Sequence, residues 1–396
     1  MQRIFEGLRI VDFTTNVAGP FTTAFLADFG AEVIKIEKPK LGDDSRFFSP
    51  QIDGVGLPFC WNNRGKKSLV LDMADSEAID IVRKLISTTD IVIESFKPGT
   101  MKKFGLDYEA LKQINPKIIY CSVSGFGQNG PYSSKPGYDM IAQALSGAMD
   151  MTGDPSGPPM RMGLAIADYN AGIHALAGIS AALYYRERTG QGQMIDISLL
   201  DCMVGVNGLI EIAGIGKKPT RSGNHHGSLA PFGVYAGSGG SLIICAPAQG
   251  PWKSLCMLMG RPEMFEDPQY ANTGARAKNI SPLIEAIESW LKTFPSVDEP
   301  WRLMDEAGIP SAKVNTTNQA LENPQLIARE MIIDLATPDG VSQESIKARG
   351  NPLKFSADKA TPSKAPALGQ HEAEILSSIG YDDADVRRLK TKWSIG

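Results

Sequence analysis

Histidine and cysteine are scarce in this 396-residue chain, and basic residues are not in excess over acidic ones. The five cysteines, Cys60, Cys121, Cys202, Cys245 and Cys256, are scattered, odd in number and form no C-x-x-C pair, which fits buried thiols in a reducing compartment. Of the four histidines, His225 and His226 are adjacent, so in an extended segment they point to opposite faces. No cysteine or carboxylate stands at a ligand spacing from them, and no metal site is expected. His174 and His371 read as structural. With 40 Lys and Arg against 44 Asp and Glu, the formal net charge of −4 excludes the broad positive field of a general nucleic-acid or membrane-surface binder. A polyanionic ligand must instead meet a local basic site. No apolar run approaches the roughly 18 residues that span a bilayer, and the start of the chain lacks the basic and hydrophobic regions of a signal peptide. A cytoplasmic protein with neither nucleic-acid nor membrane partner is expected. The first βα turn has Ala18-Gly19-Pro20 where a nicotinamide-binding fold needs G-x-G-x-x-G, which counts against a dehydrogenase.

What is present is ordinary globular material, 42% hydrophobic and 21% charged, in a length that suits two or three domains. Strand-like runs at Leu8 to Phe13, Glu32 to Glu37, Ser68 to Met73, Asp90 to Phe96 and Ile118 to Gly125 alternate with amphipathic stretches such as Ser76 to Thr88 and Tyr108 to Ile114. That alternation predicts an α/β domain with a mainly parallel sheet, whose ligands bind beyond the carboxyl ends of the strands. After about Gly214, turn formers and charge in Gly216 to Asn224 mark a linker. Short strands near Gly233 to Tyr235 and Ser241 to Cys245, then helical patterns at Trp252 to Met259 and Ser281 to Thr293, predict a smaller mixed α/β domain. No internal repeat or low-complexity tract is found.

The most informative segment runs from Asp168 to Asp201. Asp168 precedes an apolar helix in which Ala171, Ala175, Gly178, Ala181 and Ala182 recur at three- and four-residue spacing, putting small residues on one side and allowing close backbone approach. Arg186, Arg188 and Thr189-Gly190-Gln191-Gly192-Gln193 end the helix, and Asp196-Ile197-Ser198-Leu199-Leu200-Asp201 follows. A carboxylate at the start of a helix is ordinarily a cap. This segment, however, resembles the signature of the class III CoA-transferases, which include formyl-CoA transferase and crotonobetainyl-CoA:carnitine CoA-transferase. The likeness extends from Leu8-Arg9-Ile10-Val11-Asp12, Ala18-Gly19-Pro20 and Gly30 to Glu37 through Lys97-Pro98-Gly99 to Leu368-Gly369-Gln370-His371, nearly the whole chain.

The resemblance implies a large Rossmann-like domain made from residues 1–215 and 326–396, a small mixed α/β domain over 216–325, and an interlocked homodimer. It implies an acyl-CoA:carboxylate CoA-transferase with Asp168 as the nucleophile, passing through aspartyl anhydride and aspartyl-CoA thioester intermediates. Acyl-CoA and a small carboxylic acid are then the substrates, and no separate cofactor is required. Val17 and Ala18, in the turn Asn16 to Pro20, are the expected oxyanion and CoA contacts. Formyl-CoA transferase has glutamine where this chain has Val17, which counts against formate and oxalate as substrates. Further CoA contacts are expected from Lys38, Lys97 and Lys103, from Asp72, Met73, Ala74 and Asp75, from the backbone of Ser95 and Phe96, and from Pro136, Gly137, Tyr138 and Asp139. Asp139 is equally readable as the N-cap of a helix over Met140 to Ala148. Arg64, Lys66 and Lys67 form a dense basic cluster expected to strengthen the local field. The related racemases carry histidine at the Tyr138 position, and a phenol with an ordinary pKa of about 10 is a poor base at neutral pH. Racemisation and a catalytically silent CoA-binding protein are the alternatives. The motif Gly223-Asn224 to Phe232 reads as a loop over the acyl pocket, and Pro247 to Pro251 stands where formyl-CoA transferase has a glycine-rich loop, without its glycines.

Overall fold

In the computed structural model, which describes residues 3–393, the β-branched runs form six strands: β1 (Arg9–Phe13), β2 (Glu32–Glu37), β3 (Lys67–Val70), β4 (Ile91–Glu94), β5 (Ile119–Ser124) and β6 (Gln193–Ser198). They pair in parallel in the order β3-β2-β1-β4-β5-β6. The α/β expectation with a parallel central sheet is met, and this is the doubly wound order in which the chain reverses direction between β1 and β4. Several strands are shorter than the sequence pattern implies. Asp72 to Met73 and Ser95 to Phe96 leave the ladder for the loops that follow. These loops lie at carboxyl ends of strands, where such sheets bind ligands.

The helices that accompany the sheet include α1 (Ala18–Asp28), α2 (Ser76–Ile86), α3 (Tyr108–Ile114), α4 (Asp139–Leu145), α5 (Ile166–Thr189) and α6 (Leu199–Gly205). The apolar face of α2, with Ile81, Val82 and Leu85, packs on Val11, Ile34, Leu69 and Val92 of the sheet. The D-x-S-x-x-D motif has a local structural meaning, since Ser198 ends β6 and its hydroxyl caps α6 by accepting the Asp201 N–H at 3.2 Å.

The chain divides into two compact units, one comprising residues up to Ser146, Gly163–Gly208 and Asn323 onward, the other Gly147–Met162 and Leu209–Glu322. The second unit has an antiparallel sheet of β7 (Phe232–Gly237), β8 (Gly240–Cys245) and β9 (Ser311–Lys313), ordered β9-β8-β7. Trp252, Leu255, Leu283 and Ile287 from its helices pack against Tyr235, Leu242 and Ile244. Within Pro247 to Pro251, Gln249 already begins a helix that runs to Leu258. The rings of His225 and His226 pack edge-on against Tyr235 and Phe232 respectively.

In the first unit the C-terminal segment forms the hairpin of β10 (Ile332–Ala336) and β11 (Ser345–Arg349) and then docks on β3. Ser68 receives it, accepting the Gly369 N–H on its hydroxyl at 2.9 Å, while the His371 ring accepts the Ser68 N–H at 3.2 Å. The Leu-Gly-Gln-His motif is therefore a docking element. The outermost parts of the expected terminal segments, residues 1–2 and 394–396, lie outside the described residues. No helix among the described residues is long and apolar enough to cross a membrane.

Candidate active site

The turn leaving β1 is held from beneath by buried charge. Asp12, fully buried in β1, accepts the Thr14 N–H at 2.8 Å and the Thr23 hydroxyl at 2.6 Å, and pairs with Lys66 at 3.0 Å. Lys35 of β2, equally buried, donates to the Thr14 carbonyl at 2.7 Å and pairs with Asp43 at 2.8 Å. Burial opposes the charge of Asp12, yet Lys66 and Lys35 outweigh it and hold its pKa at about 2. Burial wins at Lys66, whose pKa falls to about 8 despite Asp12. The expected field of the Arg64, Lys66 and Lys67 cluster is thereby corrected. Arg64 is spent on Asp28 at 2.6 Å, Lys66 on Asp12, and Lys67 on Glu32 at 2.7 Å and Glu374 at 2.5 Å. Their charge is neutralised inside the fold, because an unpaired buried cation is costly.

Above this network Asn16 adopts φ 68 and leads into α1, whose N-terminus has no side-chain cap. The first N–H groups of a helix have no acceptor within it, so this end offers donors at Val17 and Ala18. Across the point where the strand order reverses, Ser95 accepts the Thr15 N–H on its hydroxyl at 3.0 Å, and Glu94 accepts the Phe96 N–H at 2.8 Å. The expected Phe96 backbone donor is thus already engaged.

Asp168 reaches the same place through close packing of α5 on α1. A Cβ on Gly172 would lie 2.7 Å from the Phe21 ring and 2.9 Å from the Ala18 carbonyl, so only glycine permits this approach. Thr22 seals it, donating to the Gly172 carbonyl at 3.0 Å. Of the small residues expected on one side of the helix, Ala171, Ala175 and Ala182 are buried whereas Ala181 is exposed.

The capping expectations change in the structure. Helix α5 begins at Ile166, so Asp168 lies inside its first turn, and Ala165 occupies the cap position without a side-chain bond. The cap is supplied from α4, where Asp139 Oδ1 accepts the Ala167 N–H at 2.7 Å while Oδ2 accepts from Gln143 at 2.7 Å. Asp139 is itself the first residue of its helix, and Tyr138 holds the cap position there. With the helix end served by Asp139, Asp168 retains an unbonded carboxylate. Burial first, and the charge of Asp139 second, push its pKa up to about 7. The expectation that the helix terminus keeps Asp168 ionised is therefore offset by desolvation.

A cavity of about 680 Å³ brings together Val17, Ala18, Ser95, Phe96, Lys97, Pro136, Gly137, Tyr138 and Asp168. Gly137 passes so near β5 that a Cβ on it would stand 2.6 Å from the Gly125 Cα. Tyr138 is 67% exposed at the cavity wall. A second cavity, of about 270 Å³, is lined by Lys38, Asp72, Met73 and Ala74 with Phe13, Ile36, Leu71 and Phe104, and it shares Thr15 and Phe96 with the first. Lys38 also pairs with Asp44 at 2.5 Å.

Three expected residues line neither cavity. Lys103 is exposed on the short helix Thr100–Lys103. Asp75 caps α2 through the Glu77 N–H, accepts from the Trp393 ring at 2.9 Å and pairs with Lys392, tying down the C-terminal helix Asp383–Trp393. Asp139 stands behind Asp168 as described. Sequence reasoning passed over Thr15, Ser133 and Lys135 and named Asn16 only as the start of its turn, though all four are on the larger cavity. Lys135 immediately precedes the Pro-Gly-Tyr-Asp motif and was legible as a cation beside it. A further cleft of about 480 Å³, between β10 and residues 353–362, contains none of the expected site residues.

The sequence profile of CoA-transferase family III matches residues 5–372. Succinate–glutarate CoA-transferase of Agrobacterium fabrum is 36% identical over 387 residues, covering 94% of this chain and 95% of that protein. Acetyl-CoA:oxalate CoA-transferase of Acetobacter aceti is 37% identical over 386 residues, covering 96% and 97%. The crystal structure of a CAIB/BAIF family protein from Brucella suis superposes with a TM-score of 0.85 at 37% identity, covering 96% of this chain and all of that one.

Proposed function

We propose that this chain, which belongs to CoA-transferase family III and is an enzyme of that class, moves CoA from an acyl-CoA to a small dicarboxylate with Asp168 as covalent nucleophile. The observation that carries the reading is the joint lining of one cavity by the unbonded Asp168 carboxylate and the uncapped start of α1. Attack of the carboxylate on the thioester carbonyl forms a C–O bond and breaks the C–S bond, leaving a mixed anhydride and CoA thiolate. The thiolate then attacks the aspartyl carbonyl, releasing the donor acid and forming aspartyl-CoA thioester. The acceptor carboxylate reverses both steps and leaves as the new acyl-CoA. No water, metal or redox equivalent enters this balance. Donors at Val17 and Ala18 stabilise the oxyanion of each addition.

The smaller cavity, with its apolar walls and Lys38, suits the nucleotide end of CoA, and Lys97 on the larger cavity suits a phosphate. A small dicarboxylate as acceptor is supported by the names of the relatives, which act on succinate, glutarate and oxalate, and by Lys135 as a cation for the second carboxylate. Both relatives align along almost their whole length, which supports the same assembly of large and small domains and, by resemblance, an interlocked cytoplasmic homodimer. The test is to incubate the protein with a panel of acyl-CoA donors and free acids and follow new thioesters by mass spectrometry. Hydroxylamine added in mid-reaction should convert Asp168 into its hydroxamate. New thioesters appearing without any modification at Asp168 would refute the covalent route.

A further inference from the structure

We infer that the Asn16 carboxamide is a substrate-contacting group of this reaction, donating a hydrogen bond to the acyl oxygen that becomes negative when Asp168 attacks. The inference rests on the reading of Asp168 as nucleophile. Separate observations meet at residue 16. Asn16 lines the cavity of about 680 Å³ with Val17, Ala18 and Asp168. Its backbone is held at φ 68, a region that disfavours residues with a Cβ. Such a conformation persists where the surroundings enforce it. Here Asp43 accepts the Asn16 N–H at 3.3 Å, and Lys35 grips the Thr14 carbonyl two residues earlier.

The Asn16 side-chain oxygen, moreover, is buried with no hydrogen-bond partner. That oxygen is an acceptor and gives nothing to an oxyanion, but because no bond within the fold fixes it, the carboxamide is not turned so as to withhold its NH2 from the cavity. A carboxamide also carries two N–H donors. Val17 offers none from its side chain, so Asn16 provides the amide of this turn beside the backbone donors of α1. Neutrality matters as well, because a cation at this position would pair with Asp168 and blunt the nucleophile.

Glycine occupies the left-handed region freely, so Asn16→Gly keeps the turn and removes only the carboxamide. The expected result is an unchanged or higher Tm, a KM for acyl-CoA within about twofold of wild type and a kcat lower by about 10²-fold, the loss typical of one oxyanion donor. Asn16→Asp keeps the shape but replaces the donor with charge. It should move the rise of activity to higher pH, since a further carboxylate joins Asp44 and Asp139 around Asp168 against Lys97 and Lys135. Wild-type kcat in Asn16→Gly, or an unmoved pH profile in Asn16→Asp, would overturn the inference. Asp168→Ala run alongside separates the two levels. Activity surviving there overturns the nucleophile itself, whereas a dead Asp168→Ala beside a fully active Asn16→Gly overturns only the role of Asn16.

Discussion

Replacing Asp168 with asparagine keeps the shape and removes the charge, which separates what the carboxylate does in catalysis from what it costs the fold. Burial and Asp139 raise its pKa from the ordinary 3.8 to about 7. Because the folded value is the higher, the linked stability is fully present below about pH 3.8 and is lost as pH rises through about 7. Above that, the wild-type fold holds an ionised carboxylate with no bonded partner. A displacement of this size corresponds to about 4 kcal/mol for a fully desolvated group. Solvent reaches this half-buried side chain and reduces the effect to on the order of 1–2 kcal/mol. Asp168→Asn should therefore match wild type near pH 4 and exceed it near pH 8 by a few degrees in Tm. Transfer should fall more than about 10³-fold, as when a covalent nucleophile is removed. Thermal denaturation at several pH values, with thioester formation followed by mass spectrometry, reads both. An asparagine variant less stable than wild type near pH 8 would show that the carboxylate makes a favourable bond in the fold, and the reasoning from its burial would fail.

Asp139→Asn removes the like charge beside Asp168 while an oxygen remains for the Ala167 N–H, so the rise of kcat/KM should move to lower pH at a cost of about 1 kcal/mol or less; an unmoved midpoint would contradict the coupling. Lys38→Ala and Lys97→Ala should raise KM for acyl-CoA, by a factor that shrinks as salt rises. A change confined to kcat would remove both from the CoA site. Gly172→Ala forces a Cβ against Phe21 and the Ala18 carbonyl and should cost about 1–3 kcal/mol while lowering kcat, because it levers α5 away from α1; an unchanged melting curve would refute that packing argument. With Tyr138 exposed and no histidine at its position, a chiral 2-methylacyl-CoA in deuterium oxide should take up no α-deuterium in the absence of an acceptor acid. Uptake as fast as transfer would favour a racemase.

Local pattern by itself determined the parallel α/β sheet, because fully buried strands such as Ile91 to Ile93 and Ile119 to Cys121 read as continuous apolar runs separated by amphipathic helices. It also showed the small-residue helix that follows Asp168, but by pattern alone that carboxylate reads as a cap, and only the resemblance to a known family made it a nucleophile. The tertiary structure decided what each charge does. Asp139 caps the helix of Asp168, Lys66 is spent on Asp12, and Asp75 fastens Trp393; these partners lie 28, 54 and 318 positions apart, distances that no local periodicity encodes. The separation into two units likewise placed Gly147–Met162 with the second, against the expectation of one unbroken segment to residue 215. The reactivity of Asp168 belongs to the same class. A carboxylate at a helix start should ionise readily, but its pKa is set by how much protein surrounds it and by Asp139 on another helix. Burial is a property of the assembled chain, so it enters only once the fold has closed around the residue.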